Sequence, residues 1–184
     1  MVSLTELWLP ILLSAVLVFI ASSVIHMVLP WHSRDWKKVP AEDALLDALR
    51  PFDLEAGDYM APLPSSMAEA NTPEFKEKAN RGPSIAMTVL RPGSSIPRNL
   101  VKWLVYSIVI AAFAGYVAGT VLGAGAPYLT VFRVTSTVAF VGYALALWQG
   151  WIWYSRSLGY TVRSTIDGLV YGLLTGGAFG WLWP

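Results

Sequence analysis

Long apolar runs separated by short polar breaks set the pattern of this chain. From Leu7 to Leu29 the polar side chains are Ser14, Ser22, Ser23 and His26. Similar runs cover about 103–122, 134–153 and 166–183. A hydrocarbon core about 30 Å thick is crossed by about 20 predominantly apolar residues in helical form. The pattern therefore predicts an all-α membrane protein with four transmembrane helices. Residues 1–30 hold the first helix, 31–99 form a water-exposed segment, and 100–184 form a three-helix transmembrane region. The turn from Ala124 to Thr130, with Gly125 and Pro127, makes the second and third helices an antiparallel hairpin. The fourth run is the shortest, and Asp167 lies at its start. Glu6, with no Lys or Arg before the first run, reads as the flank of a retained span and not as the basic start of a cleaved signal.

A second period runs inside the helices. Gly168, Gly172, Gly176 and Gly180 recur every four residues, as do Gly115, Gly119 and Gly123 with Ala111 before them, and Gly142, Ala146 and Gly150. Residues four apart share a helix face, and small residues there let two backbones approach closely. The expected partner of the fourth-helix stripe is another helix of the same chain, with the faces of the second and third helices as matching surfaces; self-association or docking on a larger complex is the alternative. On this reading leucine at Gly172 or Gly176 disrupts packing, and leucine at Thr175 or Ala178, on the opposite face, is milder.

The segment between the first two helices has its own signals. Pro40 to Arg50 predicts a short helix with Pro at its first position, and Thr72 to Arg81 a second, capped by Thr72 with Pro73 at its first position and Gly82 beyond its end. Gly57 to Pro62 and Ile85 to Leu90 suggest short strands, and Pro92-Gly93 and Pro97 punctuate the approach to the second helix.

Charge orients the arrangement. Nine Lys and Arg lie between Trp31 and Asn99, with Arg156 and Arg163 between the third and fourth runs. Arg133 alone falls on the other side, where it is a candidate partner for Glu6. By the positive-inside rule, both termini face the periplasm and residues 31–98 the cytoplasm. The formal net charge of +1 gives no reason to expect nucleic acid as a partner. With no cysteine, a thiolate metal site or nucleophile is excluded.

Ser22, His26, Ser107, Gln149 and Asp167 fall at similar depths and form a candidate intramembrane polar layer. Such groups usually face the protein and pair, either as an interhelical clamp or as a proton relay or polar ligand site. Asp167 also suits a helix N-terminus, where the macrodipole favours a carboxylate. His32 lies six residues beyond His26, off its helical face, so no bis-histidine haem site and no cofactor is expected. The His-Glu-x-x-His spacing of zinc proteases is absent, and a Gly-rich phosphate loop is absent too.

The runs His26-Met27-Val28-Leu29-Pro30-Trp31-His32 and Asp35-Trp36-Lys37-Lys38, with Ile166-Asp167-Gly168-Leu169 and Gly180-Trp181-Leu182-Trp183-Pro184, resemble a family of uncharacterised bacterial integral membrane proteins. The resemblance implies a bacterial inner membrane and no particular activity. The expected function is that of a non-enzymatic accessory or scaffold subunit, self-associating or docked on a larger assembly. A small oligomeric channel or transporter is the alternative, and a redox or enzyme component the third.

Overall fold

The computed structural model describes residues 1–91, 93 and 95–184; Pro92, of the expected Pro-Gly break, lies outside them. The chain divides into two compact units, Met1–Lys37 with Ile96–Pro184, and Lys38–Ser95.

The first unit is a helix bundle. Helix α1 (Trp8–Ser23) follows a polar turn in which Glu6 accepts from the N–H and Oγ of Ser3 at 2.8 and 2.7 Å. That turn occupies the carboxylate locally, and the expected Glu6–Arg133 ion pair does not form. Past Ser23 the helix widens into a π turn (Val24–Val28), closed by a Leu29 N–H to Val24 O bond of 3.0 Å. Leu29 is extended, as the residue before a proline tends to be, and Pro30–His32 form a 3-10 turn.

Helix α5 (Ile96–Val121) begins earlier than the apolar run suggests. The third run is not one continuous α-helix: α6 (Tyr128–Ala144) gives way to a 3-10 turn (Leu145–Leu147) and then to α7 (Trp148–Tyr154). Helix α8 (Leu158–Trp181) starts eight residues before the expected 166, because Ser157 caps it by accepting from the Tyr160 N–H at 3.0 Å. Asp167 therefore lies inside a helix, away from the N-terminus that would have accounted for its charge.

Three helical stretches are long and apolar enough to cross a membrane: Trp8–Val28, Ile96–Val121 and Tyr128–Tyr154. Helix α8 has the length, with 24 residues, but its glycines and hydroxyl side chains dilute its hydropathy.

The four long helices close a ring in which α1 packs on α5, α5 on α6, α6 on α8 and α8 on α1. Two apolar clusters fill it, one around Leu7, Ile11, Ala111, Val131 and Phe179, the other around Val18, Ala139, Tyr143 and Tyr171. At one end the N-terminus is tied to the last turn of α5 and the C-terminus to the α5–α6 turn. Val2 N–H donates to Gly119 O at 3.0 Å, Gly125 N–H to Pro184 O at 2.6 Å, and Trp183 Nε1 to Gly123 O at 2.9 Å.

The glycine stripe of α8 lies on α6. A Cβ at Gly176 would stand 2.9 Å from Phe132 O, one at Gly172 3.0 Å from Ser136 O, one at Gly168 2.7 Å from Ala144 Cβ, and one at Gly180 2.7 Å from the Tyr128 ring. The other stripes are used differently. Gly115 faces Phe179, Gly119 faces the Val2 carbonyl, and Gly142 faces Ile110. Gly123 faces open space, Gly150 only the Arg156 side chain, and Ala146 is exposed in the 3-10 turn, so these three are not helix-packing positions. The break after Ala144 ends the helical period that would have aligned Ala146 and Gly150 with Gly142. Thr175 and Ala178, expected on a tolerant face of α8, are 1% and 3% exposed, because α8 is enclosed by α1 as well as by α6.

The second unit holds α2 (Glu42–Leu49), α3 (Met67–Ala70), α4 (Pro73–Arg81) and the antiparallel strands β1 (Gly57–Ala61) and β2 (Ile85–Val89), paired from Gly57 with Val89 to Ala61 with Ile85. Thr72 caps α4 by accepting from the Phe75 N–H, and Gly82, at φ +59, ends it. Pro40 stays outside α2, because Ala41 adopts a left-handed conformation (φ 51) that the helix cannot continue through. No described residue of this unit is buried.

Candidate functional site

The site grows out of the π turn. Had α1 continued as an α-helix, at 3.6 residues per turn, His26 and His32 would point away from each other. The π turn, the extended Leu29 and the Pro30 turn reverse the chain instead. His32 comes back over His26, with ring centroids 4.3 Å apart and planes 23° from parallel. The expectation that His32 stands apart from His26 is overturned by this local break in the helix.

Both ring nitrogens of His32 meet carboxylates. Nε2 lies 2.8 Å from Asp167 Oδ2, and Nδ1 makes a short contact with Asp35 Oδ2. Asp167 also accepts from Trp31 Nε1 at 3.1 Å through its other oxygen. Asp35 is held by Arg163, whose Nε donates to Oδ1 at 2.8 Å. The Asp35 and Asp167 side chains are 3% and 6% exposed, and that of His32 is 13%. Burial pushes the Asp35 carboxyl up, but the hydrogen bonds from His32 and Arg163 and the guanidinium charge outweigh it and hold the group below its ordinary value. Arg163 and Asp167 stand four apart on α8, so one helix face presents both to the Pro30–Asp35 turn.

His26 forms the outer wall. Its Nε2 is 3.5 Å from Tyr171 Oη, and Tyr171 packs edge-on against Tyr143 at 5.4 Å and Trp103 at 5.8 Å. Beside it opens a pocket of about 370 Å³ lined by Ser22, His26, Met27, Ile96, Asn99 and Trp103, among others. Ser22 is not the partner of His26: its Oγ donates to Phe19 O and accepts from Trp103 Nε1 at 2.7 Å. Ser107 is fully buried and donates to Trp103 O on its own helix at 3.0 Å. Gln149 is exposed on α7. Of the expected polar layer, then, His26 and Asp167 meet in one cluster, Ser22 clamps α1 to α5, and Ser107 and Gln149 stay out.

Trp31, His32, Asp35, Arg163 and Tyr171 enter the cluster although the sequence did not place them in the polar layer. Two signals for them were there: the i, i+3 spacing of His32 and Asp35, and the i, i+4 spacing of Arg163 and Asp167. The second becomes readable once Ser157 is recognised as the cap of α8. Chemically, His26, His32 and Asp167 each offer one ligand atom, and these atoms lie within 4.8 Å of one another.

No protein-family model, curated protein or solved structure matches this chain.

Proposed function

We propose that the chain is a four-span bacterial inner-membrane protein that works without catalysing a reaction, as an accessory subunit docked on a larger membrane assembly. One observation carries this reading. The Lys38–Ser95 unit has no buried residue among those described, while Phe52, Leu63, Met67 and Leu90 are 69%, 67%, 79% and 73% exposed. A two-stranded sheet with a few short helices is marginal by itself, and a unit that encloses no core of its own supports the reading that a partner covers its exposed apolar side chains. The placement of α8 between α1 and α6 supports its role as the fourth span, its 24 residues giving about 36 Å at 1.5 Å per residue. The Lys and Arg distribution supports periplasmic termini and a cytoplasmic Lys38–Ser95 unit.

Docking on a different protein is favoured over self-association through glycine stripes, because the α8 stripe is occupied by α6 within the chain. An oligomeric channel lined by the glycine face of α8 has less support, since α6 of the same chain covers that face, and a pore through the single bundle is closed by Phe179, Val18 and Val131 at 0% exposure.

The test is photo-crosslinking. A crosslinking residue at Leu63 or Phe52, in cells, should give one discrete adduct with a membrane protein that also co-purifies in mild detergent. A protein that purifies as a monomer and forms no adduct at either position overturns the proposal, and specific ion flux in liposomes would install the channel reading in its place.

A further inference from the structure

We propose that His26, His32 and Asp167 form a binding site for a divalent first-row transition ion, with zinc its best-suited occupant. The inference stands on different residues from the accessory-subunit reading and survives or fails without it.

The donor set comes first. Two imidazoles and one carboxylate are ligands that suit zinc and its neighbours, and three protein ligands leave one position open in a tetrahedral site. The three ligand atoms lie within 4.8 Å of one another. Zinc bonds of about 2.0–2.2 Å place tetrahedral ligand atoms about 3.3–3.5 Å apart, so an ion would part His32 Nε2 and Asp167 Oδ2 slightly from 2.8 Å while His26 closes in by a small side-chain movement. His26 is the residue free to make it: its side chain is exposed and sits on a π turn, a form of backbone often found at functional sites.

The surrounding groups are those a metal-bound histidine needs. A ligating imidazole usually gives its other N–H to a carboxylate, which fixes its tautomer and its orientation. Asp35 stands at His32 Nδ1 in that position, leaving Nε2 directed at Asp167. Asp35 is itself fixed by Arg163, and the Oδ1 of Asp167 is engaged by Trp31 Nε1, which leaves Oδ2 for the ion. The bond between His32 Nε2 and Asp167 Oδ2, 2.8 Å long, marks the place the ion would take. Two carboxylates, Asp35 and Asp167, stand at the site against the one guanidinium of Arg163, and an ion would take the place of a proton shared between His32 Nε2 and Asp167 Oδ2. The open pocket beside His26 supplies a way in.

The probe is Co2+ and Zn2+ added to the full chain purified in detergent after chelator treatment. Cobalt should bind at one ion per chain, with the intense visible d–d absorption of a tetrahedral site, and stoichiometric Zn2+ should displace it. His26→Gln and Asp167→Asn should each abolish the band. Asp35 acts as a positioning residue, so Asp35→Asn should keep the band and weaken affinity about 10- to 100-fold. Because Asp167 is buried and its variant can misfold, the exposed His26 gives the decisive substitution. Absence of tetrahedral cobalt absorption in the wild-type chain, or zinc binding unchanged in the His26→Gln, His32→Gln double variant, overturns the site.

Discussion

At the scale of single residues, the tightest constraint is the missing Cβ at Gly176. A methyl group there would meet the carbonyl of Phe132, which belongs to a helix backbone and cannot turn aside, as well as the Ser136 side chain. The next residue, Gly177, has only Tyr128 Oη within reach, at 4.0 Å. In the helix interior alanine is favoured over glycine by about 1 kcal/mol, so the two neighbours should respond with opposite sign. Gly177→Ala should leave the detergent-solubilised protein as stable or raise its Tm. Gly176→Ala should destabilise by about 1–3 kcal/mol, the usual range for overpacking. Ser136 sharpens the test. Its buried Oγ has no hydrogen-bond partner, so Ser136→Ala should be neutral or stabilising and should lessen the harm of Gly176→Ala. Thermal melts of the two single variants and the double variant measure this coupling. The stripe itself was legible because a four-residue period of glycine has few uses in a helix other than close packing on a neighbour. Its counterpart was not: the surface it meets is built from Phe132, Ser136, Phe140 and Ala144, which include bulky and polar side chains and carry no small-residue signature.

At the scale of elements, the π turn is the feature on which the His26–His32 cluster depends. Removing one residue from Val24–Val28 should let the helix run on as α and swing His32 away from Asp167. Met27, 64% exposed, is the residue whose loss disturbs packing least. The Met27 deletion should keep its helical circular dichroism while His32, shielded in the intact cluster, reacts several-fold faster with diethylpyrocarbonate; unchanged reactivity would show that the turn does not hold the pair together. Nothing in Val24-Ile25-His26-Met27-Val28 announces a π turn, since these residues are as apolar as the helix before them. That is why His32 appeared to face the wrong way. Elsewhere local chemistry was readable: Thr72, Pro73 and Gly82 bracket α4 by capping, and the β1 and β2 segments announce themselves by their turn residues. The early start of α8 went unread because Gly159 to Arg163 is polar, and hydropathy alone discounts a stretch that the Ser157 cap turns into helix. The break between α6 and α7 carries no proline or glycine at Leu145–Leu147, so the apolar run gave no sign of it.

At the scale of the whole molecule, two predictions concern the units separately. A thiol at position 65, from Ser65→Cys, should react with a membrane-impermeant maleimide only after cells are opened, as the Lys and Arg distribution requires; labelling in intact cells would reverse the orientation. Amide hydrogen exchange should be fast in Gly57–Ala61 and Ile85–Val89, a pair with no core behind it, and slow in the buried stretch of α8 around Tyr171 and Thr175. Protection in the two strands equal to that in α8 would contradict the marginal stability assigned to that unit. The ring closed by α8 also bears on how the protein is made. Ribosomes deliver α1, α5 and α6 before α8, so for a time the Phe132 and Ser136 carbonyls of α6 and the inner side of α1 lie along a vacant seat. Lipid chains are poor tenants for a seat shaped for bare glycine backbone. A nascent chain halted at Tyr154 should therefore stay with the insertion machinery or be degraded, and release into the bilayer should coincide with the arrival of Gly168 to Gly180.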